Sequence, residues 1–163
     1  RKNLIRLIQA FEILKQSAPE AKLVLCGEPA WLSQGIVEAW EKSPVRDDIV
    51  LPGRVSFETL RMLYQGARVF AFPSLYEGFG LPILEAFASQ VPVLAADNSS
   101  LVEVAGDGAL FCQAEDTSDI ALKLGRLWND ETLRLDLIRK GNEQLKHFSW
   151  DKCARETIDG ILR

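Results

Sequence analysis

Apolar residues recur along this chain with two alternating periods. Leu4, Ile5, Leu7, Ile8, Phe11 and Leu14 fall on one face at helical spacing, which predicts an amphipathic helix over residues 3–17. Lys22 to Cys26 reads as a buried strand ending at Gly27. Pro29 opens a second helix through about Glu41, and Pro44 closes that region. Asp48 to Leu51 predicts a short strand, stopped by Pro52-Gly53. Ser56 then suits the N-cap of a helix through about Gln65, with Gly66 as its end. A strand near 68–73 follows, then a helix near 81–89 and a strand over Val91 to Ala95. A helical piece at Leu101 to Val104 leads into a last strand over Ala109 to Cys112. Strands alternating with helices at this spacing predict an α/β fold, a doubly wound parallel sheet with helices on both faces. After Asp116 the pattern turns purely helical, over about 117–129, 131–146 and 150–162. Such C-terminal helices must pack outside the domain or reach toward a partner.

Composition narrows the classes. A chain of 163 residues fits one domain with a sizeable core. Hydrophobic residues at 47% and charged ones at 26% match an ordinary folded chain. The net charge of −4 argues against a general nucleic-acid binder, which needs a basic face. Cys26, Cys112 and Cys153 are widely spaced, odd in number and without metal or redox spacing, so a reduced cytoplasmic setting is the simplest expectation. The apolar runs all fall short of the roughly 18 residues that a membrane span needs.

The chemistry concentrates in Tyr76-Glu77-Gly78-Phe79-Gly80-Leu81-Pro82-Ile83-Leu84-Glu85. The preceding strand, the glycine turn and Pro82 together predict strand, loop and helix N-terminus. Free amides and the helix dipole favour an anion there, typically a phosphate. Glu85 is expected in the first turn of that helix. Two carboxylates would repel the anion unless they contact its uncharged parts. Sugar hydroxyls are the obvious partners, so the local chemistry suggests a nucleotide sugar. A dinucleotide loop fits poorly, since Gly78-x-Gly80 is followed by Ile83 in place of a third glycine.

Ser74, Glu77-Gly-Phe-Gly-Leu-Pro, Glu85-Ala86 and Val91-Pro92-Val93 together resemble the retaining family-four glycosyltransferases of the GT-B fold. Lys2-Asn3-Leu4, Leu23 to Gly27, Leu51-Pro52-Gly53 and Phe148-Ser149-Trp150 extend the likeness over nearly the whole chain. The resemblance covers only the C-terminal, Rossmann-like half of such an enzyme, with residues 1–163 as its donor-binding domain. It implies that Glu77 faces the donor sugar and that Lys2 binds the diphosphate and helps it leave. It implies an arginine a few residues upstream of Lys2, beyond this chain. Glu85 would take the ribose hydroxyls. Amides at Gly78, Phe79, Gly80 and Leu81 would point at the diphosphate, and Gly53-Arg54-Val55 would bracket the base. No metal and no cofactor are expected beyond a UDP- or GDP-sugar donor, with UDP-glucose ahead of GDP-mannose. The partners implied are a glycan or lipid-linked acceptor, met through an N-terminal domain that could also attach peripherally to a membrane. The last helix would cross back to that domain.

Plainer explanations stand beside these. Glu77 could be a solvated loop carboxylate and Lys2 a frayed terminal lysine. Dipole complementarity alone, worth about 0.3–1 kcal/mol, explains an acidic first turn as well as a ribose contact does. Gly27 and the Gly53 turn each follow a strand and so share the carboxyl edge with Glu77. Arg54 could pair with a surface carboxylate. The Asp97-Asn98-Ser99-Ser100 turn reads as a capping loop, with Ser100 capping the Leu101 turn. Gln90 stands where the family usually has glycine, at roughly 1 kcal/mol if that residue is left-handed. His147 reads as a helix-end residue. The rival functions are a nucleotide-sugar-binding module without turnover and a GT-B-like epimerase or phosphorylase relative. A phosphorylase would need a pyridoxal-phosphate lysine site, which the sequence does not offer.

Overall fold

The computed structural model describes residues 1–27 and 34–162. The order of elements is α1 (Leu4–Lys15), β1 (Leu23–Cys26), α2 (Gln34–Glu41), β2 (Ile49–Gly53), α3 (Phe57–Gly66), β3 (Phe70–Phe72) and α4 (Leu81–Ala88). There follow β4 (Val93–Ala96), α5 (Leu101–Ala105), β5 (Ala109–Cys112), α6 (Thr117–Asn129), α7 (Glu131–Leu145) and α8 (Trp150–Ile161). The Pro29 start expected for α2 lies outside the described residues. The fold is α/β, and every strand pairing is parallel.

Hydrogen bonds divide the strands into two groups, β1–β2 and β3–β4–β5. The three-residue β3 pairs with β4 alone, so the ladder is interrupted between the groups. Both still share a core. Leu23, Leu25, Ile49 and Leu51 from the first group meet Ala71, Leu94 and Leu110 from the second beneath α1 and α6. The buried stripe of α1, with Leu7, Ile8, Phe11 and Leu14, supplies the centre of that layer. On the other face Val93 and Ala95 of β4 pack on Ile83 and Phe87 of α4 and Leu101 of α5. Strand β4 is buried on both faces, as a central parallel strand should be.

Sequence signals set the boundaries. The Ser56 hydroxyl accepts from the Thr59 amide and caps α3, while Asp116, Asp130 and Ser149 do the same for α6, α7 and α8. Pro92 has no N–H to give, so β4 begins one residue later, and the Pro92 carbonyl instead accepts from the Phe70 amide at 3.0 Å. Helix α4 ends in a Schellman motif: the Val91 amide donates to the Ala86 carbonyl and the Gln90 amide to that of Phe87. Gln90 takes the left-handed position, φ 58, where glycine would be at ease. Helix α7 comes so close to α4 that a Cβ at Gly141 would lie 2.5 Å from the Phe87 ring. Helix α8 stands apart, with every described residue from Trp150 to Leu162 exposed.

Candidate functional site

Parallel strands put their carboxyl ends on one edge, and the residues singled out in the sequence lie there. Asn3 anchors the start of α1 to that edge. Its backbone is left-handed, φ 60, a conformation asparagine tolerates better than most residues. Its side-chain amide donates to the Pro73 carbonyl at 2.9 Å and to the Ala114 carbonyl at 2.6 Å. The Leu75 amide adds a bond to the Arg1 carbonyl at 2.9 Å. Lys2 is therefore held in place and is not frayed.

The Lys2 ammonium donates to Glu77 Oε1 at 2.8 Å and sits 4.6 Å from the centre of the Phe72 ring. The Arg1 guanidinium lies 3.7 Å from Glu77 Oε2. Glu77 itself is only 7% exposed, which removes the reading of a solvated loop carboxylate. Burial pushes its carboxyl up, but the Lys2 hydrogen bond, the nearby Ser74 hydroxyl and the Lys2 and Arg1 charges outweigh that and hold it below the usual range. The Ser74 hydroxyl is buried without a partner of good geometry, so its part is a weak polar contact.

The loop carrying Glu77 is braced from the neighbouring strand's end. The Glu77 amide donates to Ser99 Oγ at 3.3 Å. The Ser100 hydroxyl donates to the carbonyls of Glu77 and Phe79, at 2.9 and 2.7 Å. Asn98 donates to the Ser74 carbonyl at 3.2 Å. This corrects the expectation for Asp97 to Ser100. Ser100 begins α5, but its hydroxyl makes no cap; it ties down the motif loop. The reason is topological: β4 lies beside β3, so the turn after β4 meets the loop after β3.

Gly80 caps α4 at φ 120, and Pro82 lies in the first turn. Gly78 needs no left-handed backbone; its Cβ position looks into open space, which leaves room for a ligand to approach. Among the described residues the amides of Phe79, Gly80 and Leu81 find no acceptor, so they remain available to an anion at the helix start. The Phe79 ring packs edge-on against Phe148, with centroids 5.9 Å apart.

Glu85 is the second correction. Counted from Leu81 it falls in the second turn of α4, beyond the strongest dipole field, so helix stabilisation accounts for little of its placement. It is exposed, and its Oε2 accepts from the Tyr64 hydroxyl at 3.0 Å. Gly27 and Gly53 close the β1–β2 end, the Gly27 amide donating to the Gly53 carbonyl at 3.1 Å. Arg54 is exposed and Val55 half-buried just beyond. Sequence reasoning thus located the edge and both carboxylates but missed Arg1, Tyr64, Ser99 and Ser100. A shallow groove of about 940 Å³ lies elsewhere, lined by Ile13, Leu14, Leu122 and Arg126 at the far end of α1 from Lys2. It contains none of these residues.

No helix among the described residues is long and apolar enough to cross a membrane. Described residues also hold no group of three or more His, Cys, Asp or Glu that could bind a metal ion.

Parallel strands alternating with helices, with the candidate residues at their carboxyl ends, make this a Rossmann-like α/β fold. Comparison with known proteins agrees. The profile described as "Glycosyl transferases group 1" matches residues 1–144, and the chain belongs to that family. It is 36% identical over 160 residues to the O-antigen chain mannosyltransferase B of Escherichia coli, covering 98% of this chain and 42% of that protein. The chain thus spans less than half of that relative. Its fold matches the sucrose-phosphate synthase of Thermosynechococcus elongatus with a TM-score of 0.84 at 24% identity, over 99% of this chain and 42% of that one. It also matches the C-terminal domain of a group 1 glycosyl transferase from Francisella tularensis, with a TM-score of 0.77 at 22% identity, over 90% of this chain and 78% of that one.

Proposed function

We propose that this chain is the donor-binding half of a retaining, family-four type glycosyltransferase, which grips a nucleoside diphosphate hexose for transfer to a glycan or lipid-linked acceptor. The observation that carries this reading is the pairing of the half-exposed Lys2 with the buried Glu77 beside the free amides of Phe79 to Leu81. The amides and Lys2 take the diphosphate, and Lys2 meets the charge that grows on the leaving phosphate. Arg1 adds a second positive charge beside Glu77, while the arginine that the resemblance implies lies upstream, beyond this chain. Glu77, kept ionised by its partners, faces the sugar hydroxyls and balances positive charge at the breaking glycosidic bond. Glu85 takes the ribose hydroxyls, and the backbone at Gly27 and Gly53 to Val55 brackets the base. The scheme requires no divalent metal.

The mannosyltransferase name of a relative at 36% identity supports GDP-mannose as the donor, ahead of UDP-glucose. The acceptor site belongs to an N-terminal domain. The exposed apolar residues of α8, including Trp150, Ile158 and Ile161, suit packing against it.

Calorimetric titration with UDP, UDP-glucose, GDP and GDP-mannose, without added metal, tests the donor site. Saturable binding of one base family, tighter with the sugar attached, is expected. Glu77→Ala should lose only the increment due to the sugar, and Glu85→Ala should weaken the nucleotide itself. Equal losses for both ligands in both variants would overturn the assignment.

A further inference from the structure

Glu85 is exposed on a helix surface, where a glutamate ordinarily samples several rotamers. Here its carboxylate is tied to Tyr64, which comes from a different helix 21 residues away. The tyrosine is itself fixed. Its half-buried ring packs on Phe70 with centroids 5.2 Å apart and planes tilted by 54°. Phe70 stacks on Phe72 at 5.7 Å, since alternate residues of β3 project from the same face. Phe72 in turn carries the Lys2 ammonium. One row of rings therefore runs from the partner of Glu85 to the partner of Glu77.

We propose that Tyr64 is the positioning residue for Glu85: its hydroxyl, held by the ring row, fixes the carboxylate in the orientation that takes both ribose hydroxyls. This rests on the reading of Glu85 as the ribose contact. A phenol needs only one lone pair of Oε2, so that oxygen retains a second for a ribose hydroxyl while Oε1 takes the other. Fixing the carboxylate beforehand removes an ordering cost from binding without adding a contact. Burial, and after it the negative charge of Glu85, pushes the phenol's ionisation up, so Tyr64 stays a donor at working pH.

The test titrates the native chain, Tyr64→Phe, Glu85→Gln and the double variant with UDP and GDP, then with the 2′,3′-dideoxy form of whichever binds. Tyr64→Phe keeps the ring and removes only the hydroxyl. It is expected to weaken the ribonucleotide roughly 5- to 10-fold, to leave the dideoxy nucleotide unchanged, and to add nothing in the Glu85→Gln background. Weakening both nucleotides equally would reduce Tyr64 to a structural role and overturn the proposal. So would full affinity in Tyr64→Phe while Glu85→Gln loses its preference for ribose; in that case the donor reading of Glu85 survives alone. Absence of any ribose-specific loss in Glu85→Gln, or of nucleotide binding by the native chain, would bring down that reading and this proposal together.

Discussion

Glu77 and Glu85 stand eight residues apart on one stretch of chain, yet their surroundings differ in kind. Glu77 is buried against two cations in a loop braced by Ser99 and Ser100. Glu85 is exposed on a regular helix and tied to one neutral phenol. A carboxylate buried beside a lysine is held ionised by that charge, and removing one partner leaves the other uncompensated, which costs stability. One on an exposed helix contributes little to folding, so its orientation matters chiefly for what it meets. The difference separates a group held ionised and enclosed from one that stays open to solvent.

The sharpest way to break the Glu77 side is through Asn3, which touches neither carboxylate. Asn3→Ala removes two hydrogen bonds to carbonyls at the sheet edge and places a less tolerant residue at φ 60. A loss of about 2–4 kcal/mol in urea unfolding is expected from the bonds and the strain together. Lys2 should lose its place over Glu77 at the same time. Unchanged stability would mean that the ion pair, the Phe72 contact and the Leu75–Arg1 bond hold this end of the chain without Asn3.

A smaller effect distinguishes the two carboxylates by pH. Glu77 has a lower pKa folded than its ordinary value, so it contributes stability that is whole above the usual glutamate range. That contribution is lost as pH falls through the lowered folded value. Glu77→Gln should cost about 1–2 kcal/mol near neutrality and flatten the acid limb of the stability profile. An acid limb identical to the native one would assign the pH dependence to surface pairs such as Lys140–Asp136.

The legibility of the two regions in the sequence follows the same divide. Much of what depends on local periodicity was readable, and so were the helix caps apart from Ser100. The Ser56 cap is as expected, and β5 and α6 occupy their expected residues. The carboxyl edge and the strand–loop–helix placement of Glu77 also followed from pattern alone. Contacts between elements distant in sequence did not. The role of Ser100 requires knowing that β4 pairs with β3, and capping residues look the same whether they cap or brace. Tyr64 has a helical position that says nothing of α4. Arg1 gives no local signal, because its place depends on Asn3 reaching two carbonyls 70 and 111 residues away.

On the Glu85 side the backbone should outweigh the carboxylate. Gln90 ends α4 at φ 58, so Gln90→Gly is expected to stabilise the fold by up to about 1 kcal/mol. The Schellman bonds are backbone bonds and survive the change. Nucleotide affinity should not move, since Gln90 lies at the opposite end of α4 from the Gly80 amide. Thermal unfolding checks the first expectation and titration the second.

The smallest effect is the most discriminating. Glu85→Gln keeps the shape of the side chain and an oxygen able to accept from Tyr64, while the site is exposed. Its unfolding free energy should therefore stay within about 0.5 kcal/mol of the native chain, and its stability should follow the native pH profile. A large loss would make Glu85 a structural group like Glu77 and dissolve the contrast between them. Native stability together with weakened nucleotide binding would leave ligand contact as the only work this carboxylate does.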